Sequence, residues 1–299
     1  MKKLSRCVSA LPIPDTWAVP LQFRLEFGYW PNLKCPQTFN ERLCALKCAP
    51  AAPLLAPFVD KLAARDIAAR ALGQQALIPL LGVWDRPQDV PLVQLPPCAL
   101  LCTHKSHAGL RLAGPLGDAW RLGSGNLLCA LHQAPRRLER WLKSDGYAFA
   151  RERPYRCVPP RLIALAWIDG AQDYKVMVFN GRPRAIQRHA RWQNRPAIAF
   201  FHQDGSPIPG SKAGLVPLDS PPLDPGLARR LCCAAQAVAR RVLPRQPYLR
   251  VDFLVNPQGR IFFGEITFYD SAGLRPFVPD SLDYMFGRWF HEDPETQGF

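Results

Sequence analysis

The clearest pattern in the chain is a pair of apolar runs near its C-terminus, which predicts a β-hairpin. Residues 248–267 read YLRVDFLVNPQGRIFFGEIT, with the polar connection Asn-Pro-Gln-Gly between the two runs. Side chains alternate between the two faces of a strand, so Arg250 and Asp252 share one face. Val251 and Phe253 share the other face, which we expect to line the core. The hairpin therefore combines an apolar face with a face that carries charge.

The acidic residues of this hairpin, Asp252 and Glu265, form a candidate metal site. If residues 256–259 form a four-residue loop, Asp252 lies opposite Phe263, and Arg250 lies opposite Glu265. The two carboxylates are then diagonal neighbours, roughly 7–8 Å apart between backbones, and both can reach one or two divalent cations. Without a cation they would repel each other. The alternative is an exposed hairpin face on which Arg250 and Glu265 form a cross-strand ion pair.

Weaker patterns predict the elements that precede the hairpin. A helix is expected at 60–73, where Asp60 is a suitable N-cap and Gly73 ends the helix. The runs LIPLLGVW and CALLC favour short buried strands, and the loop THKSHAG follows the second run. RLIALAWI and KVMVFN favour further strands, and GLARRLCCAAQAVARRVL favours an amphipathic helix that leads into the hairpin.

Composition limits the class of protein. The chain has 299 residues, of which 48% are hydrophobic and 21% are charged, so it is long enough for two or three globular subdomains. The net charge of +14 suits a phosphate-rich ligand, an anionic polymer or an acidic membrane surface. No apolar run reaches the length of about 18 residues that a membrane span needs, and residues 1–14 lack the apolar stretch of a signal peptide. We therefore expect a cytoplasmic protein without a transmembrane segment, able to associate peripherally with anionic surfaces.

The ten cysteines do not predict a zinc site. None of their clusters has the paired spacing of a structural zinc site, and we expect them to be mostly reduced and buried. The stretch CTHKSH, with Cys102, His104 and His107, is the best metal-like group. Histidines spaced in this way in a loop are more often surface or phosphate-contacting residues.

The order of these elements resembles the ATP-grasp superfamily, and most closely its TupA-like (teichuronopeptide biosynthesis) branch. The resemblance extends from about Tyr29 to Gly287. Six stretches in family order carry it: YWPNLKCPQTFNERL at 29–43, DKLAARDIAARALG at 60–73, LIPLLGVWD at 77–85, CTHKSHAG at 102–109, DYKVMVFNGRP at 173–183 and LRVDFLVNPQGRIFFGEITFYDSAGLRPFVP at 249–279. Each stretch is weak when it is taken alone, but their order makes the signal specific.

This resemblance implies an α+β ATP-grasp fold in three parts. Residues 1–90 would form an N-terminal helical and αβ part, and residues 91–170 a small central sheet subdomain. Residues 171–299 would form a C-terminal sheet subdomain that carries the metal-binding hairpin. The nucleotide would lie between the last two parts.

The resemblance also assigns roles within the hairpin. Asp252 and Glu265 match the carboxylates that bind magnesium. Arg250 matches the arginine that faces the reacting phosphate and oxyanion. Thr267 stands where most ATP-grasp enzymes have asparagine, and the TupA-like branch itself has threonine there. ATP and Mg²⁺ are thus the implied cofactors.

Five further residues are implied to contact the nucleotide. Lys61 matches a lysine that reaches the phosphates from the preceding subdomain, and Lys175 matches the lysine of the DYK stretch. The loop after CALLC would contribute His104, Lys105 and Ser106. In phosphoryl transfer, positioned cations stabilise the charge that is spread in the transition state.

The chain departs from the family pattern at two places. Leu101 replaces a lysine that contacts phosphate, and Leu165 and Ala166 replace a glutamate pair near the adenine and ribose. Losing a charge-assisted hydrogen bond costs about 1.5–3 kcal/mol. Lys105 lies four residues beyond Leu101 and could replace the missing cation, because a lysine side chain is long and flexible. The alternative is that Lys105 points into solvent.

Three functions are compatible with the sequence. The first is an ATP-dependent ligase that joins a carboxylate to an amine through an acyl phosphate, in the biosynthesis of a cell-surface glycopolymer or polysaccharide. The second is a diverged, non-catalytic relative that binds a nucleotide or an anionic glycopolymer. The third is a nucleic-acid-binding protein, suggested by the net charge and by RHARWQNR at 188–195, although no nucleic-acid fold motif supports it. The expected partners are therefore a nucleotide and an acidic polymer or carboxylate substrate, without specific nucleic acid.

Overall fold

The computed structural model describes residues 2–49, 52–104, 109–112, 119–122, 128–130, 134–243 and 246–291. The helices of this part of the chain are α1 (Lys2–Ala10), α2 (Asp15–Phe27), α3 (Phe39–Cys48), α4 (Ala56–Val59), α5 (Ala63–Leu72), α6 (Ala134–Lys143), α7 (Tyr147–Ala150), α8 (Pro225–Ala239) and α9 (Ser281–Arg288). Its strands are β1 (Leu80–Trp84), β2 (Cys98–Cys102), β3 (Gly109–Leu112), β4 (Ala119–Leu122), β5 (Leu128–Ala130), β6 (Leu162–Ala166), β7 (Gln172–Phe179), β8 (Arg182–Trp192), β9 (Arg195–His202), β10 (Pro207–Ile208), β11 (Ser211–Lys212), β12 (Val216–Pro217), β13 (Tyr248–Val255), β14 (Ile261–Thr267) and β15 (Phe277–Val278).

Two sheets organise the molecule. The smaller has six antiparallel strands in the order β1-β6-β2-β3-β4-β5. The larger has seven strands, in the order β10-β9-β8-β7-β13-β14, with β12 added in parallel beside β9. A short pair, β11 and β15, forms a separate two-stranded sheet. This combination of helices with largely antiparallel sheets confirms the expected α+β class. No helix among the described residues is long and apolar enough to cross a membrane.

The main core lies between α8 and one face of the larger sheet. Val251 and Phe253 are completely buried there, as their place on the apolar face of the hairpin predicts. Leu231 and Ala235 lie four residues apart on α8, so they share one helix face and belong to the same core. The opposite face of β13 is left for polar side chains.

The helix predicted at 60–73 is interrupted near its start. The chain forms α4, then a turn in which Asp60 Oδ1 accepts a hydrogen bond from the Leu62 backbone at 2.8 Å, and then α5. Gly73 ends α5 as expected, with a φ of 87° that favours glycine. The interruption places Lys61 between two helices rather than within one.

The predicted register of the β13–β14 hairpin is wrong. Arg250 lies opposite Thr267, and Phe253 lies opposite Phe263. A bulge falls between these two pairs, so that Asp252 faces two residues of β14 instead of one.

The turn of the hairpin explains part of this difference. It takes five residues, because the Asn256 side chain accepts a hydrogen bond from the Arg260 backbone at 2.8 Å and Gly259 adopts a φ of 75°. The Asn256 backbone N–H donates in turn to the Arg260 carbonyl at 3.1 Å. The predicted four-residue loop, residues 256–259, does not include Arg260, so these hydrogen bonds could not close it.

Helix α3 supplies a lysine, Lys47, to the region of the β13–β14 hairpin. Its start is fixed by a capping box, in which the Thr38 hydroxyl accepts from the Glu41 backbone and the Glu41 carboxylate accepts from the Thr38 backbone. Lys47 lies in the last turn of the helix and is completely buried.

The cysteines are free thiols wherever their side chains are described. Cys44, Cys98 and Cys102 are buried, in line with expectation. Other cysteines are exposed, which differs from the expectation that most would be buried: Cys7, Cys35, Cys157 and Cys233.

Candidate functional site

Four neighbouring strands of the larger sheet bring polar side chains into one row. Asp252 lies directly opposite Lys175, which lies directly opposite Gln187 on the next strand. Glu265 joins the row from β14, at the bulge beside Asp252. Side chains two residues apart share a strand face, so Arg250 lies on the same face as Asp252. The sheet itself therefore assembles this group, from residues that are far apart in the chain.

Asp252 is held between two cations. The Arg250 guanidinium donates through Nε to Oδ1 at 2.6 Å and through Nη2 to Oδ2 at 2.8 Å. Lys175 Nζ donates to Oδ2 at 2.6 Å. Burial alone would raise the pKa of Asp252, but the charges and hydrogen bonds of Arg250 and Lys175 lower it to about 2. The Asp252 carboxylate is therefore ionised at neutral pH.

Glu265 is the more accessible of the two carboxylates, with 27% of its side chain exposed. Lys61 Nζ lies 3.3 Å from Oε2, and Arg250 Nη2 lies 3.9 Å from Oε1. Burial acts to raise the pKa of Glu265, but the charges of Lys61, Lys175 and Arg250 together outweigh it, and the pKa is lowered. Glu265 thus keeps free acceptor capacity on an ionised group.

Lys175 and Thr267, two other predicted site residues, lie in this cluster. Burial would lower the pKa of Lys175, but the neighbouring carboxylates of Asp173 and Asp252 raise it instead. Lys175 therefore remains an ammonium. The Thr267 hydroxyl accepts a hydrogen bond from Arg250 Nη2 at 3.3 Å.

Asp270 forms a second, fully buried network behind Arg250. Its carboxylate accepts from Arg250 Nη1 at 2.8 Å, from Lys212 Nζ at 2.9 and 2.8 Å, and from Gln187 Nε2 at 2.7 Å. Burial lowers the pKa of Lys212 to about 8, against the opposing charge of Asp270. Arg250 is thereby fixed between two carboxylates, Asp252 and Asp270, and its guanidinium orientation is determined on both sides.

Glu152 is a third carboxylate close to this cluster. It is 6% exposed, and burial raises its pKa to about 7, with the charge of Glu265 adding to the effect and that of Lys47 opposing it. Arg250 and Lys61 also act on its charge. Within the described residues, the Glu152 carboxylate has no recorded hydrogen bond or ion pair.

The turn that follows β14 is strained. Ser271 and Ala272 adopt left-handed conformations with φ of 51° and 59°, which cost energy for residues that carry a Cβ. Lys47 Nζ donates to the Ala272 carbonyl at 2.9 Å, and the Ser271 hydroxyl donates to Asp270 at 3.1 Å. These contacts hold the strained turn against the site.

The residues that depart from the family pattern lie in an apolar cluster between the two sheets. The buried members of this cluster include Ile163 and Leu165 of β6 and Phe262 of β14, and Leu101 and Ala166 pack against them. The side chains at these positions thus pack with one another. They hold the sheets together by apolar contact.

The predicted contribution of the CALLC loop is only partly described. His104 is buried, and its Nε2 donates to the Ser144 carbonyl at 3.0 Å. Lys105 and Ser106 lie outside the described residues, as does His107. Their roles remain predictions.

The donor set fits a magnesium ion with incomplete protein ligation. Within the described residues, no group of three or more His, Cys, Asp or Glu side chains is placed to hold a metal ion. Mg²⁺ usually needs only one or two carboxylates, with water and nucleotide phosphates completing its shell. Glu265 has free acceptor capacity, and Asp252 uses three of about four lone-pair positions.

Sequence reasoning missed Asp270, Lys212, Gln187, Glu152 and Lys47. Gln187 lies among the arginines and His189 of β8, so its sequence neighbours do not single it out. Asp270 and Lys212 meet only through tertiary folding, across 58 residues of chain. Glu152 and Lys47 carry no local pattern that separates them from surface charges.

Comparison with known proteins agrees with this fold, which is that of an ATP-grasp protein. A family model described as TupA-like ATPgrasp matches residues 41–291. Because this match covers most of the chain, the chain belongs to the TupA-like ATP-grasp family, and the resemblance seen in the sequence is confirmed. No curated protein matches the chain.

Solved structures show more distant similarity. The ADP complex of purK, N5-carboxyaminoimidazole ribonucleotide synthetase, is 10% identical, with a TM-score of 0.42 over 72% of this chain and 46% of that one. The ATP-grasp ligase PsnB with minimal precursor, Mg and ADP is 11% identical, with a TM-score of 0.37 over 81% of this chain and 60% of that one. PsnB with minimal precursor alone is 13% identical, with a TM-score of 0.37 over 73% and 54% of the two chains. The chain spans about half the length of these structures.

Proposed function

We propose that this protein is a Mg-ATP-dependent ligase that joins a carboxylate to an amine during assembly of an acidic cell-surface glycopolymer. One observation carries the proposal: three cations, Lys61, Lys175 and Arg250, converge on two carboxylates, Asp252 and Glu265. The five side chains come from three separate segments of the chain. A cluster of this kind, with one cation in excess of its carboxylates and placed beside the junction of two sheets, suits a metal-bound polyphosphate.

The cofactor-binding roles follow from accessibility. Glu265 and Asp252 would hold Mg²⁺, and Lys61, only 3.3 Å from Glu265, would pair with phosphate oxygens next to it. A cavity of about 570 Å³, lined by Trp167, Ile168 and Phe262 among others, borders the apolar cluster and offers space for a base.

Bound Mg-ATP would supply the phosphoryl group that activates a substrate carboxylate as an acyl phosphate. The chain's own residues then position charge. Arg250, fixed between Asp252 and Asp270, presents a guanidinium that cannot reorient easily, so it can stabilise a developing oxyanion without reorganisation. Lys175 remains protonated and keeps Asp252 in place.

We propose that Glu152 is the general base that accepts a proton from the incoming amine. A general base works best when its pKa lies near the working pH, and the Glu152 pKa of about 7 meets that condition. Its carboxylate lies in the field of Glu265, Arg250 and Lys61 and is not committed to an ion pair in the described part of the chain. It can therefore attract an ammonium group and accept its proton.

Thermal melting with Mg-ATP tests the nucleotide site without knowledge of the substrate. A ligand that binds the native state raises the melting midpoint by mass action. We expect stabilisation of the wild type by Mg-ATP, and a smaller effect of added Mg²⁺ in Glu265→Gln. The exposed Glu139→Gln on α6 is the matched control. A flat response of the wild type to millimolar Mg-ATP and to the other nucleoside triphosphates would rule out the ligase.

The apolar cluster between the sheets favours a second candidate, a non-catalytic relative that binds an anionic glycopolymer. Leu101 and Leu165 fill the positions from which the family contacts nucleotide, and they pack together with Phe262. A protein that no longer binds ATP has no need of an open cleft there. The same melting experiment separates the candidates, because this one requires a flat response to nucleotide together with binding to acidic polymer.

A further inference from the structure

A second cavity, remote from the carboxylate row in sequence, has a strongly basic wall. Its volume is about 630 Å³, and it lies between the α1–α2 connection and the segment that runs from α7 into a 3-10 helix at Arg153–Cys157. Three arginines line it, Arg151, Arg153 and Arg156. The α1–α2 connection precedes residues 41–291, so the cavity joins the family region to an N-terminal segment outside it.

Arg151 is the fixed part of this cavity. It is 3% exposed, and its guanidinium donates to the backbone carbonyls of Val8, Leu11 and Ile13 and to Asp15 at 3.1 Å. These bonds fold the α1–α2 connection around the arginine. Its Nε, although buried, has no hydrogen-bond partner in the described structure.

Arg153 and Arg156 are the arginines of this cavity whose guanidinium groups are available to a ligand. The Arg153 Nε is paired with Asp15, and both of its Nη groups have no recorded partner among the described residues. Arg156 stacks 3.7 Å above the Tyr147 ring, and its only recorded charge partner in the described part of the chain is Asp145, at 3.9 Å. Side chains three residues apart on a 3-10 helix eclipse each other, so these two guanidinium groups extend in the same direction.

The charges of the wall are not balanced. Three guanidinium groups face two carboxylates, Asp15 and Asp145, and Asp15 already accepts from Arg151, Arg153 and Tyr147. The start of α2 also lines the cavity, and Asp15 in its first turn offsets the positive end of the helix dipole. An anion entering here meets the two Nη groups of Arg153, which have no other partner among the described residues.

We propose that this cavity binds an oxyanion, the phosphoryl or carboxylate group of an acidic ligand, through the Nη groups of Arg153 and the guanidinium of Arg156. The planar fork of arginine matches both kinds of oxyanion in a bidentate manner. The site is distinct from the nucleotide site and does not depend on the proposed ligase activity. It gives the protein a second point of attachment for an acidic ligand.

Calorimetric titration with inorganic phosphate and, separately, with acetate tests this site and distinguishes the two oxyanion sources. We expect the double variant Arg153→Gln/Arg156→Gln to lose about tenfold in affinity for the preferred anion. The exposed Arg229→Gln on α8 should retain the wild-type affinity. Arg153 also bonds Asp15, so the double variant could fail to fold. In that case the single variant Arg156→Gln, at a more exposed side chain, is the test, and it should show a partial loss of affinity for the anion.

A titration in the presence of saturating Mg-ATP separates this site from phosphate binding at Lys61 and Arg250. Anion binding that persists with nucleotide present and falls in the arginine variants supports the proposal. Unchanged affinity in both variants, or no binding of either anion by the wild type, overturns it. Binding of acetate without phosphate assigns the site to carboxylates, and the reverse result assigns it to phosphoryl groups.

Discussion

Lys175 lies directly opposite Asp252 on neighbouring strands, and its ammonium donates to the Asp252 carboxylate at 2.6 Å. The charge of Asp252 is therefore compensated before any metal binds. Sequence reasoning treats Asp252 and Glu265 as two carboxylates that repel each other without a cation. In the folded protein, the chain supplies the cations itself.

Asp252→Asn should therefore destabilise the protein rather than relieve repulsion. The substitution leaves Lys175 and Arg250 partly or fully buried without their shared counter-charge, and breaking such a pair typically costs about 3–5 kcal/mol. Glu265→Gln should cost less, because that side chain is 27% exposed and its ion-pair distances, 3.3 Å to Lys61 and 3.9 Å to Arg250, are longer than those of Asp252. Urea unfolding of both variants measures the difference. Equal stability of Asp252→Asn and wild type contradicts the prediction.

Glu152→Gln should change stability in a pH-dependent way. The pKa of Glu152 rises from an ordinary 4.5 to about 7 on folding, so the native state binds the proton more tightly than the unfolded state does. Wild-type stability should then fall as pH rises from about 4.5 to about 7, and level off above. The glutamine variant lacks this loss. It should match wild type below pH 4.5 and exceed it by about 2–4 kcal/mol above pH 8.

Unfolding free energies at pH 4, 6 and 8 test this profile. Glu139→Gln on the surface of α6 controls for the loss of one negative charge. A constant difference between Glu152→Gln and wild type at all three pH values would show that the Glu152 carboxyl is not perturbed by folding.

Asp270→Asn should be among the most destabilising single substitutions near the site. It removes the carboxylate shared by Arg250 and Lys212, and leaves both cations buried. Lys212→Met should recover part of the loss in the double variant, because it removes one of the stranded charges. Thermal melting of the two single variants and the double variant measures this coupling. Strictly additive effects would mean that the network does not act as a unit.

Leu101→Lys should destabilise the protein without nucleotide. The ammonium would enter the apolar cluster that contains Ile163 and Phe262, where it has no counter-charge among the cluster's side chains. Leu101→Met conserves volume and should cost less than about 1.5 kcal/mol. Comparing the two melting midpoints tests whether the cluster joins the sheets. A lysine variant as stable as the methionine variant would argue that the sheets separate easily.

Association with an acidic polymer should weaken steeply with salt. The net charge of +14 attracts anions over a distance that shrinks to about 8 Å at physiological ionic strength. Binding of polyglutamate, followed by fluorescence anisotropy from low to high salt, measures the effect, with neutral dextran as the control polymer. A salt-independent affinity, or tighter binding of dextran, would indicate that charge does not select the partner.

The sequence predicts the hairpin and its two faces because strand periodicity is local. Val251 and Phe253 are buried as expected, and Arg250 and Asp252 share the polar face. The exact pairing was wrong because a bulge and a turn closed by Asn256 depend on details that periodicity does not encode.

The network around Asp270 could not be predicted for a different reason. Its partners are separated along the chain by 20 residues from Arg250, 58 from Lys212 and 83 from Gln187. No spacing rule connects such residues, and only the order of strands in the sheet brings them together. Family resemblance located the residues that match a motif, and it did not reach those that support them.

The bulge beside Asp252 has a consequence for comparing distant relatives. Normally, one residue gained or lost in a hairpin moves every later side chain to the other face of the sheet. Here the two residues of β14 that face Asp252 absorb such a change, and Glu265 still points to the same side as Asp252. An alignment gap of one position at Gly264 would thus not indicate a lost carboxylate, and homologues that differ in length there can keep the same pair of acids in place.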